Sequence, residues 1–261
     1  MGTSKNGYKI EPIPRMRRFV SDAGHLGRRR HIIHGLIEAD VTVVRQHLRE
    51  YAQRTDKRLS LTAYLIFCLG QALQSNEHLY AYRDWRNRLI IFDKINISAM
   101  IEVETDRGKL PMPHVFRGVN FRSYKDLNDE MRLTQSEPHE TRESKFMELV
   151  SYLPGFLRRF LFQVFIKFPL LLPDYTSAVM VTAVGMFGKG GGWGIPMANY
   201  TLSVTVGGIV KKPGVVEDKI AIREYLDLTL SIDHDIVDGA PAARFVQTFR
   251  ELLESGYGLE E

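Results

Sequence analysis

Residues Leu226–Gly239 read Leu226-Asp-Leu-Thr-Leu-Ser-Ile-Asp-His-Asp-Ile-Val-Asp-Gly239. Leu226, Leu228, Leu230 and Ile232 alternate with Asp227, Thr229, Ser231 and Asp233. That period of two predicts a strand with one buried face. The strand ends in a polar cluster, Asp233, His234, Asp235 and Asp238, closed by Gly239. Ala242, Phe245, Val246, Phe249, Leu252 and Leu253 then recur at helical spacing. Pro241 suits a first helical turn, Asp238 lies near the cap and Gly256 is a stop signal. A histidine and a carboxylate therefore sit at a strand-to-helix junction, where rigid elements can aim side chains into a cleft.

The chain has 261 residues, 44% hydrophobic and 25% charged, an ordinary globular composition with room for a large core. Its single cysteine, Cys68, excludes an internal disulfide and a cysteine-built zinc site. Cys68 stands in the apolar helical run Tyr64, Leu65, Phe67, Leu69 and Leu73, so it reads as core packing rather than a nucleophile. Met1–Tyr8 is polar and has no apolar signal core, so a cytoplasmic location is expected. The net charge of +4 is too mild to choose among nucleic acid, anionic lipid and a phosphorylated ligand.

Residues 1–14 read as a flexible N-terminal arm and 15–261 as a single domain. The basic segment Arg15–His34 lacks interleaved aromatic side chains, so a solvated face is preferred and no nucleic-acid partner is expected. His31–Val41 reads as a strand and Val43–Tyr51 as a helix capped by Asp40 or Thr42; a second helix runs from Leu59 to Gln74. Residues 87–92 and 95–103 read as a strand pair, with a turn at Asp106-Arg107-Gly108. Ser123 and Asp126 mark a helix start, and 134–145 reads as a polar linker. Ala178–Val184 and Tyr200–Val210 are further strands, the second ending in a turn near Lys211–Gly214. The loop Gly185–Gly194 lacks the order of a phosphate-binding loop, and a flexible loop or close backbone approach is preferred. Interspersed strands and helices, with strand-to-strand turns, predict an α/β class with a mixed sheet and helices mainly on one face.

Residues 146–173 form an amphipathic insertion. Phe156, Leu157, Phe160, Leu161, Val164, Phe165 and Phe168 make a wide apolar stripe, with Arg159, Gln163 and Lys167 on the other side. Arg158, Arg159 and Lys167 interrupt what would otherwise approach a membrane span. Packing on the protein itself or on a neighbouring subunit is preferred; membrane contact through 156–168, and a membrane-peripheral location, is the alternative.

At the polar cluster, a neutral imidazole with a pKa of about 6.5 is the natural general base near neutral pH. No serine or cysteine elbow stands beside it, so the nucleophile would arrive with the substrate. A thiol, of pKa about 8.5, is matched to such a base. Metal binding by Asp233, His234, Asp235 and Asp238 competes, but strand alternation points the flanking carboxylates away from His234 and no second histidine shares the spacing. No metal is therefore expected, and a purely structural histidine stays open.

Ser231–Phe245 resembles the signature D-H-R-x-x-D-G-A-x-A-A-x-F of the catalytic domain of dihydrolipoyl acyltransferases, the acyltransferase component of 2-oxo acid dehydrogenase complexes. Its core, His-x-x-x-Asp-Gly, is shared with chloramphenicol acetyltransferase. Ala39-Asp-Val-Thr42, Ile95–Leu110 and Val184-Gly-Met-Phe-Gly188 resemble further family segments in family order. The resemblance implies a chloramphenicol acetyltransferase-like sandwich and a homotrimer whose active sites lie between subunits. It implies a CoA-dependent acyltransferase, with acyl-CoA as substrate and a lipoyl-bearing protein in trans as a partner, no lipoyl attachment being recognised within this chain. His234 would be the base, Thr182 the hydroxyl that donates to the oxyanion, and Asp238 a supporting carboxylate paired with an N-terminal arginine, Arg17 or Arg18. Asp235 departs from the signature arginine and Thr182 from the usual serine. The other function considered is a non-catalytic trimeric scaffold or membrane-peripheral assembly protein.

Overall fold

The computed structural model describes residues 8, 13, 17–28, 30–105, 108–136, 149–171, 177–185, 190–197 and 199–259. Most of the N-terminal arm, residues 137–145 of the linker, the first residues (146–148) of the amphipathic insertion and most of the Gly-Met-Phe-Gly segment lie outside them.

The strand holding Leu226–Asp233 is the spine of a six-stranded sheet. It is longer than its alternation predicts, running as β8 from Lys219 to Asp233. Its neighbours are β1 (Ile32–Asp40), antiparallel on one side, and β7 (Leu202–Val216), antiparallel on the other. Beyond β7 come β6 (Val179–Ala183) and β4 (Ile97–Thr105), both joined in parallel, and then β5 (Gly108–Phe116), antiparallel at the edge. The order is thus β1-β8-β7-β6-β4-β5. Tyr82–Arg83 (β2) and Leu89–Ile90 (β3) pair separately, so the predicted strand over 87–92 shrinks to two residues. Pro111 and Pro113 are tolerated in β5 because an edge strand can leave one side of its ladder unpaired.

The predicted turn near Lys211–Gly214 is not there. β7 and β8 continue together to the pair Val216↔Lys219, and the chain reverses at Glu217-Asp218, both with positive φ (48° and 61°). Such a pair of left-handed residues is the two-residue hairpin turn whose twist suits antiparallel strands. Pro213 fits inside because β6 has already ended opposite Val206, leaving that side of β7 free.

One face of the sheet carries the core. Leu226, Leu228, Leu230 and Ile232 of β8 line up with Leu202, Val204 and Val206 of β7, Val179 and Val181 of β6, and Ile97, Ala99 and Ile101 of β4, all buried. Over them lie α2 (Thr42–Thr55), α3 (Leu61–Leu73), α4 (Tyr124–Ser136) and the C-terminal helix. The result is the mixed-sheet sandwich with helices mainly on one face that the pattern predicts. Ser60 caps α3 by accepting the Ala63 N–H, Ser123 and Asp126 form a reciprocal box at α4, and Asp40 accepts from the Thr42 N–H and hydroxyl at α2. Cys68 is buried on α3, and burial pushes its thiol up to about 12, as befits a packing group.

Two further helices pair away from this layer. The helix α1 (Arg17–Gly27) falls in the basic stretch that the sequence reading left unstructured, and α5 (Gly155–Lys167) is the predicted amphipathic helix. They meet through a buried ion pair, Arg158 Nε to Asp22 Oδ2 at 2.8 Å, and Arg158 also donates to the Leu153 carbonyl. That pair turns Arg158 inward and rotates Phe156 and Phe160 outward, where they are 70% and 60% exposed. The outer face of α5 is therefore mixed rather than uniformly polar. No helix of the described residues is long and apolar enough to cross a membrane.

The C-terminal helix, α6 (Gly239–Ser255), packs on α2, α3 and β1. Phe245 and Phe249, fully buried, stack with centroids 6.1 Å apart. Phe249→Ala is expected to cost about 3–5 kcal/mol of unfolding free energy through lost burial and the cavity left behind. A chemical-denaturation midpoint checks this; a shift worth less than about 1 kcal/mol would contradict the packing described.

Candidate functional site

Asp233 ends β8, and Gly239 opens α6, so the polar cluster is a five-residue turn fixed at both ends. The turn is stitched to the start of β1: the His234 N–H donates to the His31 carbonyl at 2.8 Å. Ile236 and Val237 N–H groups both donate to the Asp233 carbonyl at 3.1 Å. Val237 is buried and anchors the turn, whereas His234 and Asp238 face solvent. Neither the His234 ring nor the Asp238 carboxylate bonds to another described residue; Asp238 serves α6 through its carbonyl, which accepts the Ala242 N–H at 3.1 Å.

The ion pair at this turn differs from the expected one. Arg30 NH1 donates to Asp233 Oδ2 at 2.7 Å, and Arg17 and Arg18, exposed in the first turn of α1, make no contact with Asp238. Asp235, the residue that departs from the signature, has two basic partners. His31 Nδ1 lies 2.9 Å from its Oδ1, and Arg83 NH1 lies 3.3 Å from its Oδ2. The hydrogen bond from His31 holds the Asp235 carboxyl below the usual carboxylate range, with the Arg83 and Arg30 charges adding to it. Signals for these partners existed in the sequence only as unpaired basic residues.

Thr182 is elsewhere. It sits on β6 opposite Thr205 of β7, which sits opposite Thr229 of β8. The three threonines form a row across the sheet face away from the main helical layer. His234 is five residues beyond Thr229 along β8 and two strands across, which places it about 20 Å from Thr182 by strand geometry. The structure thus brings His234 and Asp238 together and leaves Thr182 at the far side of the sheet.

Thr182 lines a cavity of about 730 Å3 with Met100, Glu102, Gly185, Gly190 and Gly207. The glycine loop contacts the sheet at backbone distance. A Cβ on Gly185 would stand 1.7 Å from the Gly207 carbonyl oxygen, and one on Gly207 would stand 2.1 Å from that of Gly192. Only hydrogen fits there, so close approach is what these glycines provide. The Gly192 N–H donates to the buried carboxylate of Asp227, which pins the loop. Asp227 Oδ1, Thr205 Oγ1 and Thr229 Oγ1 are buried without a partner among the described residues, so the sheet beside Thr182 is polar. Among the described residues, no three His, Cys, Asp or Glu side chains gather closely enough to hold a metal ion.

Residues 175–259, which hold both Thr182 and the His234 turn, match the profile of the family described as 2-oxoacid dehydrogenases acyltransferase (catalytic domain). The fold agrees along almost the whole chain. A probable dihydrolipoamide acetyltransferase of Listeria monocytogenes superposes with a TM-score of 0.70 at 22% identity, over 95% of each chain. Over residues 175–259 the chain is thus similar to the 2-oxoacid dehydrogenase acyltransferase catalytic domain. Among curated sequences, this chain is 26% identical over 226 residues to the acetyltransferase component of the pyruvate dehydrogenase complex of Buchnera aphidicola, covering 83% of this chain and 49% of that protein. The chain spans about half the length of the curated relatives it matches over most of its length. The dihydrolipoamide acetyltransferase of Azotobacter vinelandii superposes with a TM-score of 0.69 at 19% identity, over 98% and 96% of the two chains. In that enzyme a serine, a histidine 52 residues later and an asparagine four residues after that have been investigated for their role in the catalytic mechanism.

Proposed function

We propose that this chain transfers an acyl group between CoA and a thiol, with His234 as general base, Thr182 as oxyanion donor and Asp238 as the supporting carboxylate. One observation carries the reading. Thr182, His234 and Asp238 are separated by 52 and 4 positions, the spacing of the serine, histidine and asparagine in the Azotobacter enzyme. Threonine keeps the hydroxyl, and Asp238 takes the asparagine's place.

The chemistry follows from the residue types. The His234 imidazole accepts the thiol proton, and the thiolate attacks the thioester carbonyl carbon. The carbonyl electrons move to oxygen, where the Thr182 hydroxyl donates a hydrogen bond. Collapse of the tetrahedral species expels the departing thiolate, which recovers the proton from the imidazolium. The base and the donor are about 20 Å apart within one chain. A complete site therefore takes His234 from one copy and Thr182 from another, as in a homotrimer. The acceptor thiol would be a dihydrolipoyl group carried by a second protein. A panel of acyl-CoA thioesters, each incubated with dihydrolipoamide, should show thioester exchange with at least one acyl chain. No exchange and no hydrolysis with any of them would sink the reading.

A second reading, a scaffold held at a membrane surface, has the outer face of α5 in its favour. Tyr152, Phe156 and Phe160 are exposed beside Arg159 and Lys167, and 149–171 holds no acidic residue. Aromatic and cationic side chains together suit an anionic lipid interface. On this reading the protein floats with phosphatidylserine vesicles at low salt and the Phe156→Ser/Phe160→Ser variant stays behind; wild-type protein that never floats would dispose of it.

A further inference from the structure

Asp235 is the residue in the signature turn that the acyl-transfer chemistry does not use. It touches three things at once. Its carboxylate spans His31 at 2.9 Å and Arg83 at 3.3 Å, two residues 52 positions apart, on the approach to β1 and on β2. Its own N–H donates to Asp233 Oδ1 at 3.2 Å, and the other oxygen of Asp233 takes Arg30 at 2.7 Å. His31 in turn holds the neighbouring backbone, since its carbonyl accepts the His234 N–H. The side chains of Arg30, His31, Arg83, Asp233 and Asp235 therefore brace the single residue between the two aspartates, and that residue is His234.

The clamp is unsuited to stabilising the fold. His31 is 81% exposed and Arg83 44% exposed, so solvent screens both pairs, and exposed pairs of this kind contribute little to folding. What such a clamp can do is fix direction. The His234 ring bonds to no described residue, so its orientation rests on the backbone of the turn. A general base displaced by a fraction of an ångström loses rate without losing substrate affinity.

We propose that Asp235, held by Arg83 and His31, is a positioning residue for His234, and that Arg83 on β2 is part of the catalytic support although it lies outside the signature. This inference rests on the reading of His234 as the base.

The test compares His234→Ala, Asp235→Asn, Asp235→Glu, Arg83→Ala and the Arg83→Ala/Asp235→Asn double variant in thioester exchange. Asp235→Asn should lower kcat about 10-fold with KM for acyl-CoA and the melting temperature unchanged. Arg83→Ala should cause a similar loss, and the double variant no more than either single, because the two act as one unit. Asp235→Glu should recover most of the rate. A kcat for Asp235→Asn within twofold of wild type overturns the proposal, as does a loss that Arg83→Ala does not share or that follows a lowered melting temperature. If His234→Ala itself remains active, the base assignment fails. If His234→Ala is inactive while Asp235→Asn is normal, only the clamp fails.

Discussion

His234→Ala should lower the rate of thioester exchange by about 10³-fold while leaving the melting temperature and the assembly size unchanged. The ring is exposed and bonds to no described residue, so its removal opens no cavity and strands no buried group. The turn itself is held by other atoms: the His234 N–H on the His31 carbonyl, the buried Val237, and the Arg30–Asp233 pair. All of these survive the substitution. What disappears is the one group at the turn able to take a proton from a thiol near neutral pH. A thiol with a pKa of about 8.5 is a few per cent ionised at neutral pH, which leaves a residual rate rather than none. Raising the pH should therefore rescue the variant more than the wild type, since hydroxide then does the work of the base. Activity unaffected by the substitution would place the base elsewhere.

With Thr182 as the proposed oxyanion donor, Thr182→Val should cost about 10²–10³ in kcat, because one hydrogen-bond donor would be lost. Valine keeps the β-branched shape that suits β6, so the sheet is not disturbed. The neighbouring row already contains unsatisfied hydroxyls at Thr205 and Thr229, so the loss of a hydroxyl at 182 removes no partner on which the fold depends. Thr182→Ser, which keeps the donor and drops the methyl, should stay within a few-fold of wild type. Equal losses in the serine and valine variants would show that packing at 182, not its hydroxyl, is what matters.

How much of this was legible in the sequence varies with the kind of interaction. The core face of β8, the helix after it, the Ser123 cap and the core place of Cys68 all follow from periodicity or local side-chain chemistry. These are short-range properties written in adjacent residues. The far half of the β7–β8 hairpin was not legible: Pro213-Gly214 looks like a turn, and only the free edge of β7 shows why it is not. The orientation of α5 also went astray. Its helical wheel predicts Phe156 and Phe160 inward, but Asp22, more than a hundred residues earlier, claims Arg158 and turns the helix. The same limit applies to the site. His234 and Asp238 stand out because they share one turn with a glycine stop. Arg30 and Arg83 are ordinary basic residues until the fold sets them against Asp233 and Asp235. Arg17 and Arg18, which the resemblance offers as partners for Asp238, belong to the exposed start of α1.

The distance between Thr182 and His234 makes the strongest demand on the account, and subunit mixing tests it most directly. His234→Ala and Thr182→Val chains, each nearly inactive alone, are to be unfolded together and refolded as a mixture. If each site draws its base from one chain and its hydroxyl from another, roughly a quarter of the sites formed at random contain both wild-type residues. Thioester exchange should recover to about that fraction of the wild-type level. A mixture as inactive as its two parents, under conditions where refolded wild-type protein is fully active, would contradict it.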